Sequence, residues 1–598
     1  MYLLCLIALL LTTTVLAEHR RFELNISSAI LNPDCHSQGY ETLLINNQFL
    51  APTIRVTRND DVEVVVHNAL NSRPAAIHFH GIRQYGTVES DGVPDITQAS
   101  IEPGETYTYR FRVMYQSGTY YYHAHIGLQD DTIQGALIVH DDDLSVPGKP
   151  GQLVDGPYVY DGELMVHISE WWHQNLQDRE DYYMGPNFVF DQGAESILIN
   201  GKTIYNRTTQ GEGCKGLSVL NVEPHKVYRL RVIGGNTFRV LGLGIKNHTL
   251  TIIEVDGELI KPYETSYLEV APGQRFSVLL RTQDQLPGSL FPIATNYRLR
   301  RRGGSFTENG YAYLQYTNLV SPEGLDAAIS SMKPVSFITE IKRLEDVIQE
   351  HEDMKDKNTK TSTRTGRKSG ANTTQLLFSP DLLPSFPKND VRDWIWPKLK
   401  PLRSRDPVID IPASRTIKLR AFTVNDPVAH TRYWINGRAP PARELPIIHE
   451  YYTGKRALAM GLEPDGYNSN LQSYPVQFNE TIDIVLQNAL VGTQCLVHPW
   501  HTHGHSHYQI SSGDGEYYEE LHGNIRNFPH PLYKDVTTVY PTAVDNSTTG
   551  CGWAKIRLVA DNPGFWAIHC HITTHMMQGK LAVLEVAPEL IDYFKLYK

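Results

Sequence analysis

The chain has 598 residues, 41% of them hydrophobic and 20% charged, which is enough apolar material for three or more domains. Its formal net charge of −11 argues against a nucleic-acid partner, because phosphate recognition calls for a basic face. Residues 3–11 form an apolar run followed by Val15-Leu16-Ala17, a small-residue cleavage pattern, so residues 1–17 read as a signal peptide. A membrane anchor is the alternative, but the run is too short to span a bilayer and no later segment is long enough. A secreted, extracellular protein without a membrane anchor is therefore expected.

Residues 18–150 read as a first domain. It contains His78-Phe79-His80-Gly81, the turn and strand Glu102–Arg112, then Gly118-Thr-Tyr-Tyr-Tyr-His123-Ala-His125 and Gln134–Val139. Residues 151–320 repeat the scaffold in Leu250–Gly257 and Ala271–Leu280 but lack the paired histidines. Residues 321–410 break the pattern. Ile341–Met354 suits an amphipathic helix, while the Lys/Thr/Ser/Gly-rich run 355–369 has almost nothing to bury, so a charged, partly disordered insertion or linker is expected, with polyanion binding as the weaker alternative. Residues 411–598 echo the first domain in His501-Thr-His503-Gly504, Ala554–His571 and Gln578–Leu584. Apolar and polar residues alternate between Pro/Gly turns in all three copies, which predicts an all-β protein of three Greek-key sandwiches.

Two further features fit an oxidising compartment. Asn25, Asn206, Asn247, Asn372, Asn479 and Asn546 each head an Asn-x-Ser/Thr triplet, so N-glycans are expected. Setting aside Cys5 and Cys570 leaves Cys35, Cys214, Cys495 and Cys551, an even number that suggests two disulfides, with buried free thiols as the alternative.

The chemistry lies in four clusters: His78/His80, His123/His125, His498-Pro-Trp-His501-Thr-His503, and His569-Cys570-His571-Ile-Thr-Thr-His575. Ten histidines and one cysteine exceed what one metal ion uses, so more than one ion is implied. On a strand, residues i and i+2 share a face, so each His-x-His pair aims two imidazoles at one point, and Cys570 faces away from His569 and His571. Cys570 with His498 and His575 is the trigonal set of a blue copper centre. The remaining eight histidines then form a second group on the other side of the same strand.

These motifs, in this order and spacing, resemble the multicopper oxidases, the family of laccases, ascorbate oxidases and ferroxidases; the resemblance covers most of the chain outside 321–410. It implies cupredoxin-like domains and four copper ions. His498, Cys570 and His575 would hold the type 1 ion. His78 and His501 match the type 2 ligands, and His80, His123, His125, His503, His569 and His571 match the type 3 pair. The implied reaction couples one-electron oxidation of a small phenolic or ascorbate-like reductant to reduction of dioxygen to water; a ferroxidase or metal oxidase, or a secreted copper-binding protein with impaired turnover, is the alternative. Asp91 looks like the family's acid beside the cluster, and a turn aspartate before Gly92 is the plain reading.

The same resemblance pairs Cys35 with Cys214, which leaves Cys495 with Cys551. It also marks departures. Thr573 stands where many relatives carry an acid, and Lys580 stands at the axial position where relatives carry Met, Leu or Phe. Lys580 is expected to lie beside the metal or to turn its head to solvent or an acid. Met576 and Met577 suit packing better than an axial approach. Trp171 or Trp172 could face the reductant, as in ascorbate oxidases, or be a buried aromatic. Glu170 matches an acid of relatives, Leu496 replaces one, and His505 and His507 are expected to support the cluster without binding metal.

Overall fold

The computed structural model describes residues 18–148, 151–190, 192–207, 213–299, 310–317, 382–427, 430–440, 443–456, 461–545 and 547–597. The expected signal peptide, the Ile341–Met354 helix and the 355–369 run lie outside them.

Three β-sandwiches follow one another along the chain. In the first, strands Tyr40–Ile45, His19–Leu31, Asp61–Asn68 and Thr106–Arg112 form one sheet. Strands Ala51–Thr57, Gln134–His140, Gly118–Ala124 and Ile77–His80 form the facing sheet. Leu24, Ile26, Val64 and Val66 of the first sheet meet Ile54, Val56, Leu137 and Val139 of the second in one core. Each fully buried Val, Ile or Leu contributes about 1.5–3 kcal/mol. The second and third domains each pair a six-stranded with a five-stranded sheet.

The repeat seen in the sequence is a repeat of topology. The opening strand of each domain runs parallel to a later one: His19–Leu31 beside Asp61–Asn68, Gly162–Trp171 beside Val227–Gly234, and Arg415–Asp426 beside Thr481–Ala489. The facing sheets repeat the device, with Ala51–Thr57 beside Gln134–His140, Ser218–Val222 beside Tyr311–Tyr316, and Tyr474–Val476 beside Leu581–Val586. Parallel neighbours need long crossovers, so each sheet is closed by chain that has left and returned, as a Greek key requires.

Both disulfide pairings are present, Cys35–Cys214 joining the first domain to the second and Cys495–Cys551 lying within the third. The stretch expected as a linker differs in its C-terminal part. Trp394, Trp396 and Leu399 are buried in the core of the second domain, and Pro401 bridges to Ile260. A composition window averages Trp394-Ile-Trp-Pro-Lys-Leu399 with its charged neighbours and hides an apolar anchor. Trp396 stacks on Phe276 at 5.8 Å, donates through Nε1 to the Tyr540 hydroxyl at 2.9 Å, and carries Lys534 Nζ 4.2 Å above its ring, so it bonds the second domain to the third. The four sequon asparagines within the described residues, Asn25, Asn206, Asn247 and Asn479, are all exposed. Among the described residues, no helix is long and apolar enough to cross a membrane.

Candidate metal centre

Cross-strand register brings the histidines together. His78 on Ile77–His80 lies opposite His123 on Gly118–Ala124, and His501 on His498–Thr502 lies opposite His569 on Gly564–Cys570. Side chains directly opposite have Cβ atoms about 4.5–5.5 Å apart. Strict alternation does not carry the whole arrangement, because three strands end between paired ligands. His125, His503 and His571 lie just past the ends of their strands, and His575 sits in the short helix Thr573–Met577.

Domains one and three then close on each other and the nitrogens converge. His78 Nε2 and His501 Nε2 are 3.4 Å apart, His503 Nε2 and His569 Nε2 3.0 Å, and His571 Nε2 and His80 Nδ1 3.2 Å. Three triads, His78/His80/His123, His78/His501/His503 and His125/His503/His569, each hold their ligand atoms within 4.8 Å of one another. The second domain supplies a wall: a Cβ on Gly273, whose φ is +82°, would stand 2.9 Å from both His571 and His80.

The ring orientations are fixed from behind. Nδ1 of His78 donates to the Asp91 carbonyl at 2.6 Å, that of His123 to Ala124 at 2.8 Å, that of His501 to Asp535 at 3.0 Å and that of His569 to Cys570 at 3.0 Å. His503 Nδ1 is held by the Asp91 carboxylate at 3.0 Å. With Nδ1 protonated, Nε2 is left as a lone-pair donor aimed inward. Burial, reinforced by the neighbouring histidines, holds His80, His123, His125, His501, His503 and His571 well below the ordinary imidazole range. Burial also lowers His569 to about 4. Neutral, buried lone pairs that face one another repel unless a cation lies between them. Nε2 of His123 and of His125 has no hydrogen-bond partner among the described residues. The donor set therefore fits copper, which imidazole nitrogens suit.

On the other side of Cys570 lies the second group. Cys570 Sγ is 3.6 Å from His498 Nδ1 and 3.8 Å from His575 Nδ1, and all three residues are buried. One soft thiolate with two imidazoles again matches copper. Tyr433 packs edge-on against His575 at 4.9 Å.

Lys580 turns neither to solvent nor towards the surface. It is 1% exposed, with Nζ 3.0 Å from Nδ1 and 3.1 Å from Nε2 of His498 and 5.3 Å above the Tyr433 ring. Its backbone accepts from Cys570 N and donates to the His575 carbonyl, which places its side chain beside the thiolate group.

Trp171 and Trp172 are buried, Trp172 under the Arg179 guanidinium at 3.7 Å, so neither faces outward. Glu170 accepts from the backbone N–H groups of Thr237, Phe238 and Arg239. His507 is held between the Thr502 and Thr537 hydroxyls, and His505 stands 4.0 Å from the Asp561 carboxylate. Met577 joins the apolar cluster of Tyr183, Phe188 and Tyr433.

Asp535, Tyr121 and Asp130 join the surroundings of the site without a motif of their own. Asp535 Oδ1 lies 3.2 Å from His80 Nε2 and is clamped by Arg275 from the second domain through two 2.6 Å bonds. The Tyr121 hydroxyl is 3.1 Å from His571 Nε2. The Thr573 hydroxyl is 2.6 Å from Asp130 Oδ2. Asp130-Asp131, five residues after His125, was the one visible signal; Asp535 carried none, because its partners come from other domains.

Three cupredoxin-like sandwiches that place a histidine group between the first and last domains, with a thiolate group one residue away, define a multicopper oxidase architecture. Models of the multicopper oxidase family match residues 25–144, 162–319 and 441–590, and the chain belongs to that family. The chain is 29% identical over 579 residues to an L-ascorbate oxidase of Cucumis sativus, covering 94% of this chain and 88% of the relative. It is 28% identical over 620 residues to Laccase-1 of Arabidopsis thaliana, covering 96% and 93%. Among solved structures, Fet3p, described as a multicopper oxidase that functions in iron import, superposes with a TM-score of 0.71 at 24% identity, covering 97% of this chain and 93% of that one. The laccase of Botrytis aclada gives 0.71 at 22% identity, covering 96% and 89%.

Proposed function

We propose that this multicopper oxidase takes single electrons from a small organic reductant at the Cys570 site and delivers four of them, with four protons, to one dioxygen at the histidine group, yielding two waters. His498, Cys570 and His575 hold one copper. His78, His80, His123, His125, His501, His503, His569 and His571 hold three more. Bound copper supplies one-electron exchange at the first site and dioxygen reduction at the second. The observation that carries the reading is the position of Cys570, whose sulfur belongs to one group while its peptide neighbours His569 and His571 belong to the other. The chain itself thus joins the two groups by a few covalent bonds.

The remaining roles belong to the protein's own side chains. Asp91 orients His503 through its carboxylate and His78 through its carbonyl, and it is the acid nearest the histidine group from the first domain. Tyr433, which packs edge-on against His575, belongs to a buried aromatic cluster with Tyr183, Phe188 and Met577. A phenolic or enediol reductant is favoured by the likeness to L-ascorbate oxidase and laccase relatives. The exposed sequons and the two disulfides support a secreted, N-glycosylated protein.

The test is direct. The copper-loaded protein is expected to be blue and to consume oxygen on addition of a phenol or ascorbate, faster than with Fe(II). A blue protein that consumes no oxygen with any reductant sinks the reading.

A further inference from the structure

Dioxygen reduction consumes four protons per turnover, yet the histidine group is sealed: its eight imidazoles are all buried. Ordered water or a buried group that can hold a proton must link it to solvent. Asp130 is placed for this. It lies on the turn that follows His125, and its Oδ2 is 2.6 Å from the hydroxyl of Thr573, two residues from both His571 and His575. It therefore touches one ligand-bearing segment while being carried by another. Its second oxygen, Oδ1, is buried and has no hydrogen-bond partner among the described residues.

Charge counting says which form Asp130 takes. Asp131 binds the Arg179 guanidinium through Oδ2 and accepts from the Thr237 hydroxyl through Oδ1 at 2.6 Å. Two buried acids thus share one cation, and the cluster is neutral only when one carboxyl holds a proton. Arg179 is committed to Asp131. The other charged groups facing the pair have partners of their own, Glu180 with Arg73 and Glu170 with Arg239, and Tyr121 is a phenol. Burial, then the adjacent Asp131, push the Asp130 carboxyl well above the usual carboxylate range.

Behind Asp131 lies a small cavity of about 30 Å³, with Asp131, Thr132, Glu170 and Arg179 on one side, Trp171 and Trp172 on the other, and the exposed Glu41 and Gln174 at its rim. A cavity with several polar groups in its wall holds water once it has about 10–15 Å³ of room.

We propose that Asp130, recharged from this cavity past Asp131, relays protons to the dioxygen-reducing histidine group through the Thr573 hydroxyl. The proposal rests on the oxidase reading above. In each transfer the Asp130 O–H bond breaks as its proton reaches Thr573 Oγ1, and Thr573 releases its own hydroxyl proton towards the histidines. The Asp130 carboxylate then takes back one proton that enters from cavity water by way of Asp131, which borders the cavity, so the side chains end unchanged and each dioxygen receives four protons with its four electrons.

The test uses copper-loaded wild type, D130N, T573V and the double variant D130N/T573E, each fully reduced without oxygen and then mixed with it. Reoxidation is expected to slow by at least about tenfold in D130N and T573V at full copper content and unchanged blue absorption. D130N/T573E, which restores an acid from the other side of the same contact, is expected to recover. On copper-free protein, infrared spectra near neutral pH should show a protonated carboxyl band that disappears in D130N. Unchanged reoxidation in D130N, absence of that band, or failure of T573E to rescue overturns the relay alone. Failure of wild type itself to reoxidise overturns the oxidase reading, and the relay with it.

Discussion

Lys580 is the residue that most changes the expected properties of the thiolate group. Backbone bonds to Cys570 and His575 fix its main chain beside the thiolate, and its Nζ lies within 3.1 Å of both ring nitrogens of His498. A cation close to a one-electron site favours the reduced ion, because Cu(I) carries less charge than Cu(II). At about 4 Å and an effective dielectric near 20 the interaction is roughly 4 kcal/mol, or on the order of 0.2 V. Lys580→Met is therefore expected to lower the reduction potential of the blue site by up to about 0.2 V while keeping the blue absorption. Redox titration checks this, and an unchanged or higher potential removes Lys580 from the account.

At the scale of elements, the segment from Asp393 to Pro401 does more than connect domains. Trp396 fills the second-domain core and reaches Tyr540 and Lys534 of the third, so a sandwich without it has a hole at its interface. Removing a buried tryptophan typically costs about 3–5 kcal/mol through lost transfer energy and the cavity left behind. Trp396→Ala is expected to lower the midpoint of the first thermal unfolding transition by several degrees, read by calorimetry on the copper-free protein. The Cys35–Cys214 bridge ties the first domain to the second in the same sense, by holding two otherwise separate sheets together.

At the scale of the molecule, one buried guanidinium ties all three domains together behind the histidines. Arg275 belongs to the second domain, donates to the Thr119 carbonyl of the first at 3.3 Å, and grips Asp535 of the third. Asp256, also buried, stands 3.5 Å away, and burial lifts its carboxyl to about 7. Loss of one partner of a buried pair leaves an uncompensated charge and costs about 3–5 kcal/mol. Arg275→Met is accordingly expected to destabilise the assembled protein by that amount. It should also weaken copper retention at the histidine group, since Asp535 contacts His80 through its side chain and His501 through its carbonyl. Metal analysis after dialysis, alongside thermal unfolding, separates the two effects.

The alternation of apolar residues, the threefold repeat and the His-x-His pairs were legible in the chain because they are local: period-two patterning dictates a strand face, and a strand face dictates which side chains travel together. The same locality turns Cys570 to the face opposite His569 and His571, towards His498 and His575. Tertiary structure alone decided what lies behind those ligands. Asp535, Arg275 and Tyr121 meet side chains hundreds of residues away in sequence, and the Thr573 hydroxyl acquires an acid only because the turn after His125 folds onto it. Lys580 had a position in sequence but no environment until Cys570, His498 and His575 closed around it. Which histidines travel together is a property of spacing along the chain, whereas the proton route, the cation beside the thiolate and the interdomain clamp are properties of packing, which spacing does not encode.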